Sequence, residues 1–339
     1  MSHNCINLKT TGFVINLNLD DQKQIFSFLD ATLRGGFGYT LKSMVCIAEK
    51  VQCSECILKH KCVYAFIFET PPPKESSRLK SYKAIPHPFT MRTVQKENSV
   101  NLFLTLFGNA VDYMPYFLHT FKRLGEKGIG INKTTFTIDD VVHKNRSIHS
   151  EGTNEIDTVK PDLLTVFPDK NSCGEITLRF LSPLTLRKNG MQLRTFDTRT
   201  FFYTLLRRIT NLNAFYGDQT DSDIDPRAFL GQIDELNTDA RMKYVNLSRY
   251  STRQKRRLNY GGITGDVTFS GNIGILRRLI EAGAITGVGK NTAFGCGVYE
   301  ILSPVGDDEK RKRSAQTQEE WLYENGCANE SPVKQYSES

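Results

Sequence analysis

The stretch GDVTFSGNIGILRRLIEAGAITGVGKNTAFGCGVYEIL, residues 265–302, decides the reading of the fold. GDVTFSG (265–271) has the look of a short strand. NIGILRRLIEAG (272–283) spaces its apolar residues as a helix does and ends on Gly283, a C-cap glycine by position. AFGCGVYEIL (293–302) is strand-like again. Between helix and strand lies GAITGVGKNTAFGCG (283–297), five glycines around the single Lys290.

The same alternation extends upstream. EITLRFLSPLTL (175–186) predicts a strand and TRTFFYTLLRRITNLNAF (198–215) a helix, followed by a basic, strand-forming segment. From residue 175 the order is strand, helix, strand, strand, helix, strand, the split βαβ order of a ferredoxin-like domain. The first half is a weaker copy. GFVINLN (12–18) predicts a strand, and Asp20 and Asp21 stand where a helix N-cap would precede QKQIFSFLDATL. Gly35, Gly36 and Gly38 interrupt that helix, and TLKSMVCIAEKV resumes it. VYAFIFE (63–69) and NLFLTLFG (101–108) read as strands, and 110–124 as a helix with Pro115 in its first turns. The glycine-rich GEKGIGINKTTFTIDDVV leads into another strand. The expected fold is α+β: two tandem ferredoxin-like (βαββαβ) domains, 1–150 with a cysteine-cluster insertion and 151–302 with the glycine-rich loop. The polar stretch 143–172 is the expected boundary, and 303–339 an expected disordered tail.

At 339 residues, with 39% hydrophobic content, the chain can fill two cores. No run approaches the ~20 apolar residues of a membrane-spanning helix. MSHNCINLKTTGFVINLNLD lacks the basic start and apolar block of a secretory signal, so a cytoplasmic protein with no membrane partner is expected. Its eight cysteines are then reduced thiols or metal ligands. The net charge is +7, and its distribution matters more. Residues 218–239 hold seven acids and only Arg227 as a base. Residues 240–265 hold seven bases (Arg241, Lys243, Arg249, Arg253, Lys255, Arg256 and Arg257) and no acid, with Tyr244, Tyr250 and Tyr260 among them. Such a strip suits a polyanion, with rings on which unpaired bases can stack; a solvated surface loop is the bland alternative.

The glycine-rich loop fails as a nucleotide cradle. A P-loop places a glycine where Ala284 stands and Ser or Thr where Asn291 stands, and it precedes a helix instead of following one. The dinucleotide pattern begun by Gly287-Val288-Gly289 ends on Thr292. What remains is a plain helix–strand connection or a backbone surface that a sugar-phosphate chain can approach, with Gly287, Gly289, Lys290 and Asn291 as contacts. Cys46, Cys53, Cys56 and Cys62 form C-x6-C-x2-C-x5-C. Four thiolates in that span could close a tetrahedral structural zinc site or hold an iron–sulfur cluster; His60 could replace one of them. Chance clustering of reduced thiols is the alternative.

The loop GAITGVGKNTAFGCGVYEI, with FSGNIGILRRLIEAG before it, resembles the signature loop of the RAMP superfamily of CRISPR-associated proteins. LRGGFGYTLK, VYAFIFETPPP, IPHPF, LFLTLFGNA and LGEKGIGI narrow the resemblance to the endoribonuclease that cuts repeats in precursor crRNA. The similarity runs from about residue 12 to 302. It implies cleavage without a catalytic metal, an enzyme able to retain the mature crRNA, CRISPR repeat RNA as partner, and effector-complex subunits or a second copy of the chain as further partners. A subunit that only binds crRNA is the alternative. RNA brings its own nucleophile, the 2′-hydroxyl, so the enzyme orients it, removes its proton and protonates the leaving 5′-oxygen. The products are a 2′,3′-cyclic phosphate and a 5′-hydroxyl. In the family a histidine of the N-terminal domain serves, with tyrosine or lysine. Here His87, in IPHPF, ranks first and His60 second. Tyr39 and Lys42 are candidates for proton transfer, and Arg34 for phosphate contact. Arg253, Lys255, Arg256 and Arg257 are expected to bind RNA.

Overall fold

The computed structural model describes residues 6–20, 28–71, 85–96, 99–150, 156–166, 173–217, 231–251 and 256–302. Strand β1 (Ile6–Leu19) organises the first half. It pairs with β3 (Ser99–Phe107) along one edge and with β4 (Phe136–His143) and β6 (Asp162–Val166) along the other. β2 (Phe89–Gln95) extends the sheet beyond β3, and β5 (Arg146–Ser150) extends it beyond β4; every pairing is antiparallel. Helices α1 (Leu29–Val45) and α3 (Met114–Lys127) cover one face, and the short α2 (Val63–Phe68) packs beside α1.

The second half repeats the scheme with β7 (Cys173–Phe180), α4 (Thr198–Tyr216), β10 (Asn237–Val245), β13 (Gly262–Asn272), α5 (Gly274–Thr286) and β14 (Tyr299–Leu302). Two hairpins are inserted, β8 (Arg187–Lys188) with β9 (Met191–Gln192), and β11 (Ser248–Ser251) with β12 (Arg256–Asn259). The sheet order β10-β13-β7-β14 matches β2-β3-β1-β4 of the first half.

β1 belongs to two cores. Its odd residues Phe13, Ile15, Leu17 and Leu19 face α1 and α3, among Leu33, Phe37, Phe117 and Phe121. Its even residues Ile6 and Leu8 join Phe107, Leu164 and Val166 against Leu205 and Ile209 of α4 and Leu276 and Ile280 of α5. Helices α4 and α5 therefore pack both on their own sheet and on the back of the first one. Burial on both faces explains why β1 is more apolar than an alternating strand. The second sheet keeps its far face open. One row across it alternates in charge, Arg241, Asp266, Arg179 and Glu300.

Several expectations are corrected. VYAFIFE is helical, because Tyr64, Ala65, Ile67 and Phe68 all bury together and Tyr64 stacks on Phe68 one turn on. Tertiary burial outweighs the strand preference of its residues. The helix described in the first half starts at Leu29 and runs unbroken through Gly35, Gly36 and Gly38. Gly38 leaves room for the Phe68 ring, which a Cβ would approach to 3.2 Å. Helix α5 passes Gly283 and ends at Thr286, with Gly287 as cap. Strands at 146–150 and 162–166, inside the polar stretch, belong to the first sheet. No described helix is long and apolar enough to cross a membrane. The tail 303–339 lies outside the described residues.

Candidate nucleic-acid interface

The glycine-rich loop folds onto its own protein. Val288 N donates to Gly297 O (2.9 Å), Gly297 N to Pro183 O (3.0 Å), Lys290 N to Thr185 O (3.1 Å) and Val298 N to Ser182 Oγ (2.9 Å). These amides are spent inside the fold and cannot cradle a phosphate. The glycines serve close packing instead. Gly297 has φ +70°, and a Cβ there would stand 1.8 Å from Val288 O. Gly295 has φ +75°, and its Cβ would stand 2.7 Å from Asp30 Oδ1 and 2.9 Å from Met91 O, atoms of α1 and β2. The loop thus seals the two halves together. Of its four expected RNA contacts, Gly287 is buried, Gly289 and Asn291 are half-buried, and Lys290 is exposed. Arg208, buried on α4, holds the loop's start: its Nε donates to Thr286 O at 2.8 Å, satisfying a carbonyl of the last helical turn. Losing water lowers its pKa to about 9.

Arg34 and His87 meet beneath this loop. Arg34 Nη2 donates to His87 Nε2 at 2.8 Å, so that nitrogen must be the unprotonated acceptor. The guanidinium lies 4.3 Å from the Phe294 ring of the loop and 4.8 Å from the Phe68 ring. His87 stacks on Phe89 at 13° and also touches Phe68. Loss of water around the ring, then the charge of Arg34, push the His87 pKa from 6.5 to about 3. His87 is thus a neutral acceptor whose Nε2 is taken by Arg34, a poor fit to the expected base. Arg34 is held between aromatic rings, where an RNA phosphate would have to displace an existing contact. Tyr216 ties α4 to the same region: its hydroxyl donates to Pro86 O and shares a hydrogen bond with Thr70, each at 2.7 Å.

Asp30 was not foreseen. Thr93 N donates to its Oδ1 at 2.6 Å, and the carboxyl sits against Gly295 at the seam. Loss of water raises its pKa to about 6 against the opposing pull of these hydrogen bonds and of Arg92.

Tyr39 is 76% exposed on α1, and Lys42 follows one turn later with its Nζ 5.5 Å from the Tyr64 ring. His60 is exposed in the cysteine segment. That segment is stitched by its own backbone, with Cys46 N donating to Lys42 O and Cys62 N to Leu58 O, both at 2.9 Å. Cys46, Cys53, Cys56 and Cys62 are half-buried free thiols. Among the described residues, no three Cys, His, Asp or Glu side chains gather to hold a metal. The Cys53 thiol is pushed up by loss of water, with Cys46 and Cys62 close enough to add to the shift.

The basic strip forms the β11–β12 hairpin. At its base Tyr260, Leu258 and Leu247 cluster with Phe28, Ala31, Phe294 and Cys296, against α1 and the loop. Arg256 is exposed there; Arg253 and Lys255 lie outside the described residues, as does the side chain of Arg257. The adjoining β8–β9 hairpin turns on Asn189-Gly190, both at positive φ, the pair that a tight two-residue turn favours. Gly261 O joins the two hairpins by accepting from Thr185 Oγ1 (3.0 Å) and Gln192 Nε2 (2.7 Å).

Comparison with known proteins agrees with this architecture. Residues 178–299 match the family of the CRISPR-associated endoribonuclease Cas6. Over those residues the chain is similar to Cas6. Residues 8–161 match a family described as an N-terminal domain, AF_1859_N. An uncharacterized protein of Archaeoglobus fulgidus is 24% identical over 286 residues, 81% of this chain and 92% of its own. A Cas6 (TTHB231) product complex, from Thermus thermophilus, superposes with TM-score 0.53 at 16% identity, over 86% of this chain and 100% of that one. A partial Cas6-RT-Cas1–Cas2 complex gives TM-score 0.50 at 11% identity, over 89% of this chain and 47% of that chain. The solved structures establish a shared Cas6 fold.

Proposed function

We propose that this protein is an endoribonuclease that cuts the repeats of precursor crRNA. The observation that carries the reading is the Cas6 endoribonuclease match over 178–299, which spans the glycine-rich loop and the basic β11–β12 hairpin beside it. The product complex of TTHB231 lends RNA processing as the activity of a protein with the same fold. We read the two βαββαβ units as tandem ferredoxin-like domains; the matching sheet orders support this.

The chemistry is 2′-hydroxyl attack on the adjacent phosphate, leaving a 2′,3′-cyclic phosphate and a 5′-hydroxyl, with no catalytic metal. Proton transfer requires a group that can reach the RNA. Tyr39 and Lys42, on the outer side of α1, and exposed His60 are the candidates; His87 holds Arg34 at the seam. Repeat RNA labelled at its 5′ end, incubated with the protein in EDTA, is cut to a product that ends in a cyclic phosphate. Tyr39→Phe or Lys42→Ala slows single-turnover cutting by about 10²-fold or more, the usual range for removing a proton-transfer group. No cutting of any repeat overturns the enzyme reading. One observation favours a subunit that only binds crRNA: Arg34 occupies Nε2 of the first-ranked histidine. Tight binding without cutting selects that alternative.

A further inference from the structure

Five described cations of the second half have carboxylate partners. Lys188 pairs with Asp197 (3.2 Å), Arg199 with Asp234 (2.8 Å), Arg278 with Glu281 (3.1 Å), Arg179 with Asp266 (3.0 Å) and Arg241 with Asp239 (3.0 Å). Three cations without such a partner stand together. Arg187 on the β8–β9 hairpin, Arg207 on α4 and Lys290 on the glycine-rich loop are all exposed, and none has an ion pair among the described residues. They come from separate elements that meet at this loop: Lys290 N donates to Thr185 O at 3.1 Å, and Arg208, next to Arg207, donates its Nε to Thr286 O at 2.8 Å; loss of water, then the charges of Arg187 and Arg207, lower the Lys290 pKa. Tyr203, 49% exposed, lies one turn before Arg207 on α4, with the guanidinium 5.7 Å from its ring centroid.

Like charges held together without a counter-ion repel one another and gain when an anion arrives. The fold fixes each one. Lys290 N donates to Thr185 O two residues before Arg187, and Arg207 precedes the buried Arg208 that grips the loop's start. We propose that Arg187, Arg207 and Lys290 form a subsite for a backbone phosphate of the bound RNA, with Tyr203 beside it for an unpaired base. The proposal rests on the RNA-processing reading and adds residues of α4 and the β8–β9 hairpin to the interface. The subsite serves binding. Its cations lie on the second half, whereas the candidate proton-transfer groups lie on α1 and the cysteine segment of the first.

The test is fluorescence anisotropy of labelled single-stranded repeat RNA across a KCl series. It compares wild-type protein, the triple variant Arg187→Gln/Arg207→Gln/Lys290→Gln, each single variant, and Arg199→Gln, an exposed and already paired cation on the same helix. The triple variant should lose tenfold or more in affinity at low salt. Its slope of log affinity against log salt should fall by about 0.7 for each phosphate that it no longer neutralises. Single variants should lose part of that, and Arg199→Gln none. Thermal unfolding of the triple variant without RNA should occur no lower than wild type, because a repulsion has been removed. A wild-type protein that binds and cuts RNA, beside a triple variant with unchanged affinity and slope, overturns the subsite alone. Equal loss in Arg199→Gln also overturns it, since net charge then suffices. A wild-type protein that neither binds nor cuts repeat RNA overturns the RNA reading and the subsite with it.

Discussion

The glycine-rich loop and the cysteine-rich segment look alike as sequences: each gathers residues that commonly hold a ligand. In the structure they diverge. The loop turns its amides inward, presses Gly297 onto Val288 and Gly295 onto Asp30 and Met91, and leaves Lys290 outside. The segment 46–62 hangs between α1 and α2 with Ile47 and Ile57 almost fully exposed. One is a seam between the halves; the other is an appendage of the first. Residue type announces a possible ligand, but partners and packing decide whether the residue is free to take it.

That contrast breaks first at Gly297. Gly297→Ala forces a side chain into a left-handed backbone and onto Val288 O, at a cost of about 3–5 kcal/mol from strain and overpacking together. Urea unfolding measures it. A loss below ~1 kcal/mol would mean that the loop does not close as described.

The seam also makes a pH prediction. His87 has a folded pKa below its unfolded value, so the folded state binds fewer protons between pH 6.5 and about 3, and its contribution is lost as pH falls through that window. Asp30 has a raised pKa. Its contribution is present below pH 3.8 and lost as pH rises through about 6. The two oppose each other between pH 4 and 6. Relative to wild type, Asp30→Asn should make stability climb more steeply with pH there, and His87→Gln less steeply, each by at most ~1.4 kcal/mol per pH unit. Denaturant midpoints at three pH values read both slopes; variants that parallel wild type would remove the two groups from the seam.

The smallest effect belongs to the cysteine segment. Cys53→Ser should cost about 1 kcal/mol or less, as a substitution at a half-buried site with no network does, and EDTA should leave the melting temperature unmoved. A fall in melting temperature with EDTA would mean that the four thiols close around a metal.

The element order of the second half was legible because its helices and strands carry clean periodicity and its turns carry glycine. β1 was legible as a strand but not as the member of two cores, since the second core lies more than a hundred residues away. VYAFIFE misled because its five β-favouring residues take whatever form buries them best. The Arg34–His87 pair and Asp30 were illegible as a site: the partners are 53 and 63 residues apart in sequence, and nothing local says that they meet. The pair LLRRIT at 205–210 held a readable signal. On a helix, adjacent arginines face different ways, and here Arg208 is buried while Arg207 is exposed.

The central claim is that this chain cuts CRISPR repeat RNA without help from a metal. It is tested most directly by incubating purified protein with 5′-labelled repeat RNA in EDTA and resolving the products. The account predicts one discrete cut ending in a 2′,3′-cyclic phosphate, retained in His87→Gln and lost in Tyr39→Phe or Lys42→Ala. RNA that stays intact, or that is cut only when a divalent metal is restored, would contradict it.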